Sequence, residues 1–440
     1  MRYFLLYIVT SLVLVTGVAQ AQQADSVYSL QQCLDIAIRN NLDVKKSELE
    51  MERQRIYWKQ ARLNLLPTIN GSVDHSINNG RSQNADLTYV NAQITNANYN
   101  LNSNLVLFDG LAMFSSIKQT ALAYQAGQMD FQAAKNSISL NVITTYLAML
   151  NNEDQVTQAE TQVQVSKQQA DRLEILNRDG NVTPAEFYNL KGQLANDQLS
   201  LITAKNNLIA SRLNLLELMN IPYNKNIKFE RLSAAELPAA YKTAQDDVYN
   251  TALKDLAQVR ATELRVRSSE KAVKVAKGRI FPTLSLYSGV FTQYSSGSAG
   301  SYTTQFRNNY NTSFGLNLSI PFLNGFKRRN DIALAKINLQ ESQYVDYTTK
   351  VKLKQNVEQA YANMTLALER YKIQADQVAA YAEAFRTTEI RFNAGAVTSV
   401  EFVIAKGNLD RSRTNLIVAR YDYFIRTKIL DYYQNRLSFN

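Results

Sequence analysis

The sequence predicts a mainly α chain with membrane β, internally duplicated. It is a long coiled-coil helical barrel plus four strands per chain, which contribute to a β-barrel shared between chains. Three observations predict this. The second half repeats the first at a constant offset: Pro67-Thr68 recurs as Pro282-Thr283, Gly110 as Gly325, Gly180 as Gly395, Glu186-Phe187 as Glu401-Phe402 and Lys191-Gly192 as Lys406-Gly407. Two long spans, 110–178 and 325–392, contain no proline and are rich in helix formers. Four segments at matching places in the two halves alternate with period two, the mark of a half-exposed strand. A repeat this long implies pseudo-symmetric halves, here residues 22–240 and 241–440.

The chain opens on a secretory signal at 1–21. Arg2 supplies the charged start, 4–18 the apolar run, and Ala19-Gln20-Ala21 the cleavage site. No other stretch reaches 18 consecutive apolar residues, so no transmembrane helix is expected. The whole chain carries a net charge of +10, and removal of Arg2 leaves +9. The charges are scattered over helical stretches without a basic block, and the chain is exported, so nucleic acid is not expected as a partner. The one cysteine, Cys33, sits in a helical pattern and reads as a core residue.

In the first half, the pattern predicts helices at 30–66, 110–178 and 184–219 and strands at about 68–77 and 98–108. In the second, it predicts helices at 247–281, 325–392 and 399–435 and strands at about 283–294 and 310–321. At 1.5 Å per residue each long helix would span about 100 Å. Its seam runs Val357, Tyr361, Met364, Leu368, Tyr371, Ala375, Val378, Ala382 and Phe385, alternating spacings of four and three. The first half echoes it with Val142, Tyr146 and Met149, then turns polar at Glu153 and Glu160. Helices 184–219 and 247–281 are expected to stack end to end, as are 30–66 and 399–435, with 220–246 as a belt.

The strand at 310–321 is the clearest. Tyr310, Thr312, Phe314, Leu316, Leu318 and Ile320 face one way, and Asn311, Ser313, Gly315, Asn317 and Ser319 the other. Apolar-out with Asn and Ser inside suits a membrane barrel with a wet lumen. The strand at 283–294 is the least clean, because Tyr287 and Phe291 fall on the wrong face. Segments 78–97 and 295–309 read as outer loops. Four strands cannot close a barrel, and an open edge is not viable in lipid, so several chains must share one. A periplasmic coiled-coil scaffold without a pore would explain the helices but not these strands.

Together these features resemble the TolC family of outer membrane efflux proteins. The resemblance rests on Leu30-Gln-Gln-Cys-Leu-Asp-Ile-Ala-Ile-Arg-Asn-Asn-Leu42, on Pro67-Thr68 and Pro282-Thr283, on Phe108-Asp109-Gly110 and Pro321-Phe322-Leu323-Asn324-Gly325, and on the turns Asp179-Gly180-Asn181-Val182-Thr183 and Ala394-Gly395-Ala396-Val397-Thr398. It implies a homotrimer whose 12 strands close one barrel in outer membrane lipid above a periplasmic helical tunnel. It also implies a periplasmic adaptor and an inner-membrane pump as partners. By the same resemblance, Gly180, Val182, Thr183, Gly395, Val397 and Thr398 form the adaptor-docking tips. Glu186 and Glu401, six residues after each glycine, would mark the periplasmic gate. Some relatives carry a second acid where this chain has Ile404, and join their tips through a tyrosine and an arginine where it has Phe392 and Val397. With one histidine, His75, in a strand, and no Cys–His pair, phosphate loop or metal-ligand cluster, neither enzyme activity nor a cofactor is expected.

Overall fold

The computed structural model describes residues 27–83, 87–223, 227–231 and 241–436. The predicted signal at 1–21 lies outside them. The first repeat comprises β1 (Val27–Tyr28), α1 (Leu30–Asn40), α2 (Leu42–Leu63), β2 (Thr68–Gln83), β3 (Tyr89–Phe108), α3 (Ala112–Arg178) and α4 (Pro184–Met219). β4 (Lys228–Phe229) follows, and then the second repeat. It comprises α5 (Gln245–Asp255), α6 (Ala257–Gly278), β5 (Thr283–Ser295), α7 (Tyr302–Asn308), β6 (Asn311–Ser319), α8 (Lys327–Asn393) and α9 (Ser399–Tyr433).

The constant offset carries through to backbone detail. α1, α2, α3 and α4 begin at the positions equivalent to the starts of α5, α6, α8 and α9, and β2 begins at the equivalent of β5. Left-handed backbone recurs in the same register at Gly110 and Gly325, Leu111 and Phe326, Gly180 and Gly395, and Asn220 and Asn435. Both repeats therefore make the same turns at the same places.

The predicted helices 30–66 and 247–281 are each two helices. The first breaks at Asn41, whose backbone is extended and whose side chain accepts from the Asp43 and Val44 amides. The second breaks at Leu256 with the same extended backbone. Neither proline nor glycine marks these breaks. The predicted stacking is also corrected. Asn41 Nδ2 donates to the Leu218 carbonyl at 3.1 Å, and Asn220 Nδ2 to that of Asn40 at 3.3 Å. The end of α4 thus stacks on the α1–α2 break of its own repeat. In the second repeat, Gln434 just beyond α9 bonds Tyr241 just before α5.

The equatorial core lies at these junctions. Cys33, Val142, Tyr146, Met149, Leu215 and Met219 are all buried there. The second repeat repeats it with Val248, Val357, Met364 and Leu430. Fully burying such a side chain contributes about 1.5–3 kcal/mol. The remaining α8 seam residues point inward as well, none of them exposed. Glu153 and Glu160 on α3 pair with Arg212, Arg231 and Lys205, which explains the wetter first-repeat seam. Of the belt, Lys228–Phe229 pairs in parallel with Val27–Tyr28, and Tyr146 Oη donates to the Glu230 carbonyl at 2.5 Å.

Burial also pushes the Cys33 thiol up to about 12. The native protein should resist an alkylating reagent at about pH 8 that labels it fully after denaturation. Equal labelling rates in the two states would place Cys33 outside the core.

The four long strands form one antiparallel sheet, in the order β2-β3-β5-β6. Those of the first repeat are longer than predicted: β2 and β3 take up most of 78–97, while 295–309 contains the short helix α7. The pairing keeps one face apolar, with Ile69, Val73, Ile77, Phe314, Leu316 and Leu318 all exposed on it. His75 lies on the same face. Asn98, Asn100, Asn102 and Asn104 line the other. The two misplaced aromatics of β5 are on that polar face. Tyr287 pairs with Gly315, and a Cβ there would fall 2.6 Å from the Tyr287 hydroxyl. The ring fills the space that glycine leaves, which a pattern read along one strand cannot reveal. Among the described residues, no helix is long and apolar enough to cross a membrane.

Candidate functional site

The long helices carry the chain from the sheet to two helix–helix turns at the far end. At the first, Gly180 takes φ +70 and the Asn181 amide donates back to Leu176 O at 2.8 Å. At the second, Gly395 takes φ +73 and the Ala396 amide donates to Arg391 O at 2.8 Å. Nothing lies within 4 Å of a Cβ built on either glycine, so the left-handed backbone is what requires glycine, not crowding. Thr183 and Thr398 then cap α4 and α9 through their hydroxyls.

The six predicted tip residues divide into two groups. Gly180, Thr183, Gly395 and Thr398 are exposed. Val182 and Val397 turn inward onto an apolar cluster of Leu173, Leu190, Phe392 and Phe402. Phe402 is fully buried and stacks on Phe392 with ring centroids 4.7 Å apart. Phe392 is therefore a packing residue here. The two tips are joined by Arg172 on α3, which bonds Asn393 through its side chain and donates to its carbonyl at 3.0 Å.

The two candidate gate acids differ. The Glu186 carboxylate accepts from the Thr183 amide and hydroxyl, each at 3.0 Å, and closes a capping box. At Glu401 only the backbone amide joins the cap. Among the described residues, no side chain or amide bonds the Glu401 carboxylate, and the residue is exposed. One acid is committed to its helix end, and the other is free to project.

Just above the tips lies a buried charged cluster that the sequence pattern does not reveal. Lys406 on α9 is 2% exposed and donates to Asp197 on α4 at 2.8 Å and to Asp410 at 2.5 Å. Asp197 also accepts from Ser166 on α3 and from Gln193 at 2.8 Å. Burial pushes the Asp410 carboxyl above its ordinary range, against the opposing pull of Lys406. The cluster ties three helices together. The Lys191-Gly192 and Lys406-Gly407 repeat is visible in the sequence, but not that only one of the two lysines is buried.

The family model described as outer membrane efflux protein matches residues 33–220 and 248–431. Outer membrane protein TolC of Escherichia coli (strain K12) is 24% identical over 425 residues, covering 93% of this chain and 82% of its own length. Toxin and drug export protein A of Aggregatibacter actinomycetemcomitans is 21% identical over 407 residues, covering 89% and 83%. The CmeC outer membrane channel of Campylobacter jejuni superposes with a TM-score of 0.79 at 17% identity, over 92% of this chain and 86% of its own.

Proposed function

We propose a passive export duct on one premise: this chain belongs to the outer membrane efflux protein family. It is an outer membrane protein of efflux or secretion. The observation that carries the duct is the sheet itself. One chain supplies four long strands with an apolar outer face, and β2 and β6 are left as open edges. Lipid does not tolerate such edges, so copies must complete one another. Three copies would bring 12 strands and a tunnel walled by the helices.

In this reading the barrel opens to the exterior and the tips face the periplasm. The exposed turns around Gly180, Thr183, Gly395 and Thr398 form the surface that an adaptor grips, with Val182 and Val397 anchoring them from within. An inner-membrane pump supplies energy and selectivity. The duct itself does no chemistry. Opening is a shift between two packings of the helical ends. The candidate cargoes are drugs, metal ions and secreted polypeptides, and the chain itself does not choose among them.

The test is the native mass of the protein extracted from outer membranes in mild detergent. Three chains are expected. A monomer recovered without detergent would leave only the periplasmic scaffold.

Glu401 is assigned to the gate and Glu186 to the helix cap. Three Glu401 carboxylates related by threefold symmetry would attract cations. Glu401→Gln should therefore lower cation preference in planar bilayer recordings, while Glu186→Gln leaves it unchanged. Equal selectivity in wild type and Glu401→Gln would remove Glu401 from the gate.

A further inference from the structure

The sequence spreads its cations along the helices, but the fold gathers six of them at one level. On α2, Lys59 and Arg62 precede the exposed Leu66 by two turns and one turn. On α6, Lys274 and Lys277 stand at the same distances before the exposed Phe281. Each set of three lies on one helix face, and all four cations are exposed. Arg329 and Lys336 are exposed at the start of α8. Segments 56–66 and 271–281 contain no acid, and Asp331 on α8 is taken by Lys327 at 3.4 Å. Among the described residues, none of the six cations is held in an ion pair.

This face continues the apolar side of the sheet. On α6, Ser268 bonds the Gln119 carbonyl of α3, and Ser269 bonds Ser342 of α8. The lysine face is one of the two left between these neighbours, and the hand of the sheet decides which. The Ser296 amide donates to the Thr95 carbonyl at 2.9 Å. Even-numbered residues of β5, which carry its apolar side, therefore turn their backbone groups toward β3. For L-residues this sets β3 to the right of β5 when the apolar side is viewed with the helices below. With α3 below β3, a right-handed α6 turns Lys274, Lys277 and Phe281 toward the viewer. The repeat gives α2 the same orientation, and the same hand turns Arg329 and Lys336 outward on α8.

The apolar side thus ends at Leu66 and Phe281, and cations follow about 6 and 10 Å further from the sheet. Headgroup phosphates lie at this depth, within reach of long basic side chains whose stems rest on apolar surface. Trp58, the one tryptophan, stacks on Tyr124 here, with Arg62 4.6 Å over its ring. Tryptophan and tyrosine favour such an interface. We propose that this collar binds anionic phospholipids of the periplasmic leaflet through their headgroup phosphates. Charge complementarity selects the occupant. Unpaired cations beside an apolar surface fit a lipid with net negative charge, whereas a zwitterionic headgroup brings a competing cation of its own. The proposal rests on the shared-barrel reading above and deepens it by naming the lipid class.

The test uses the full-length protein extracted from outer membranes. Native mass is measured first, so a failure of the shared barrel shows there as a monomer, independently of the lipid measurement. The protein is then reconstituted in phosphatidylcholine vesicles, part of whose lipid carries a spin label on the choline headgroup. Trp58 fluorescence reports quenching by labelled lipid at the collar. Phosphatidylglycerol should restore half the fluorescence at an about fivefold lower mole fraction than unlabelled phosphatidylcholine. Lys59→Gln with Lys274→Gln and Lys277→Gln should remove that difference, and Arg62 is kept because it covers the Trp58 ring. Lys167→Gln with Lys191→Gln and Lys372→Gln, at exposed sites nearer the tips, should keep it. Equal restoration by both lipids in the wild type would overturn the lipid assignment and leave the collar to an acidic protein. A difference that survives the collar variant, or disappears equally in the tip-side variant, would show that these cations do not select lipid. Fluorescence indifferent to the label would place the collar away from the bilayer surface and sink the proposal.

Discussion

Lys406→Met should destabilise the folded protein by about 3–5 kcal/mol, because it strips the bonded cation from two largely buried carboxylates. Asp197 and Asp410 would face each other across α4 and α9, with Ser166 and Gln193 as the remaining donors to Asp197. Replacing all three charged residues together, as Lys406→Met with Asp197→Leu and Asp410→Leu, should recover most of the loss. Apolar packing of similar volume commonly matches or exceeds a buried ion pair in stability. The check is the urea midpoint of the detergent-extracted protein for wild type, single and triple variants. If the single variant unfolds at the wild-type midpoint, the cluster is not desolvated in the assembled protein. Lys191→Met, at the exposed counterpart, should change the midpoint little.

Phe402→Ala should cost about 3–5 kcal/mol at the tips, since it deletes the centre of an aromatic stack. Phe402 touches Phe392 on one side and Phe385 on the other, at centroid separations of 4.7 and 5.5 Å. Removing it leaves a cavity beneath Val182 and Val397, the two residues that anchor the turns. The expected signature is local: faster hydrogen exchange at 173–190 and 392–403, with the barrel strands unchanged. Exchange that rises evenly along the chain would show that the tips are not a separate packing unit. Phe402→Leu keeps most of the volume and should lose less.

The duplication, the long helices, the strand faces and the left-handed glycines at the tips are all legible in the sequence. Each is written in local information: a period of 3.5 or 2, a run without breakers, a glycine where the backbone turns left-handed. The constant offset between the halves is equally direct, because a duplicated gene segment keeps its register. The roles proposed for Glu401 and the tip residues rest on resemblance, since an exposed acid has no local signature of its role.

Which pieces meet is set by packing between elements far apart in the chain. The break at Asn41 was hidden because an asparagine that caps a helix looks like one on its surface. The stacking of α4 on the α1–α2 break depends on two amide-to-carbonyl bonds between residues in different thirds of the repeat, beyond any periodicity. Tyr287 reads as an error along β5 and as a fit only beside Gly315. Lys406 and Lys191 occupy the same place in their repeats, with similar neighbours in sequence. One is buried against two aspartates and the other is exposed, because burial depends on the element packed alongside, and only one flank of each chain is covered by the chain itself.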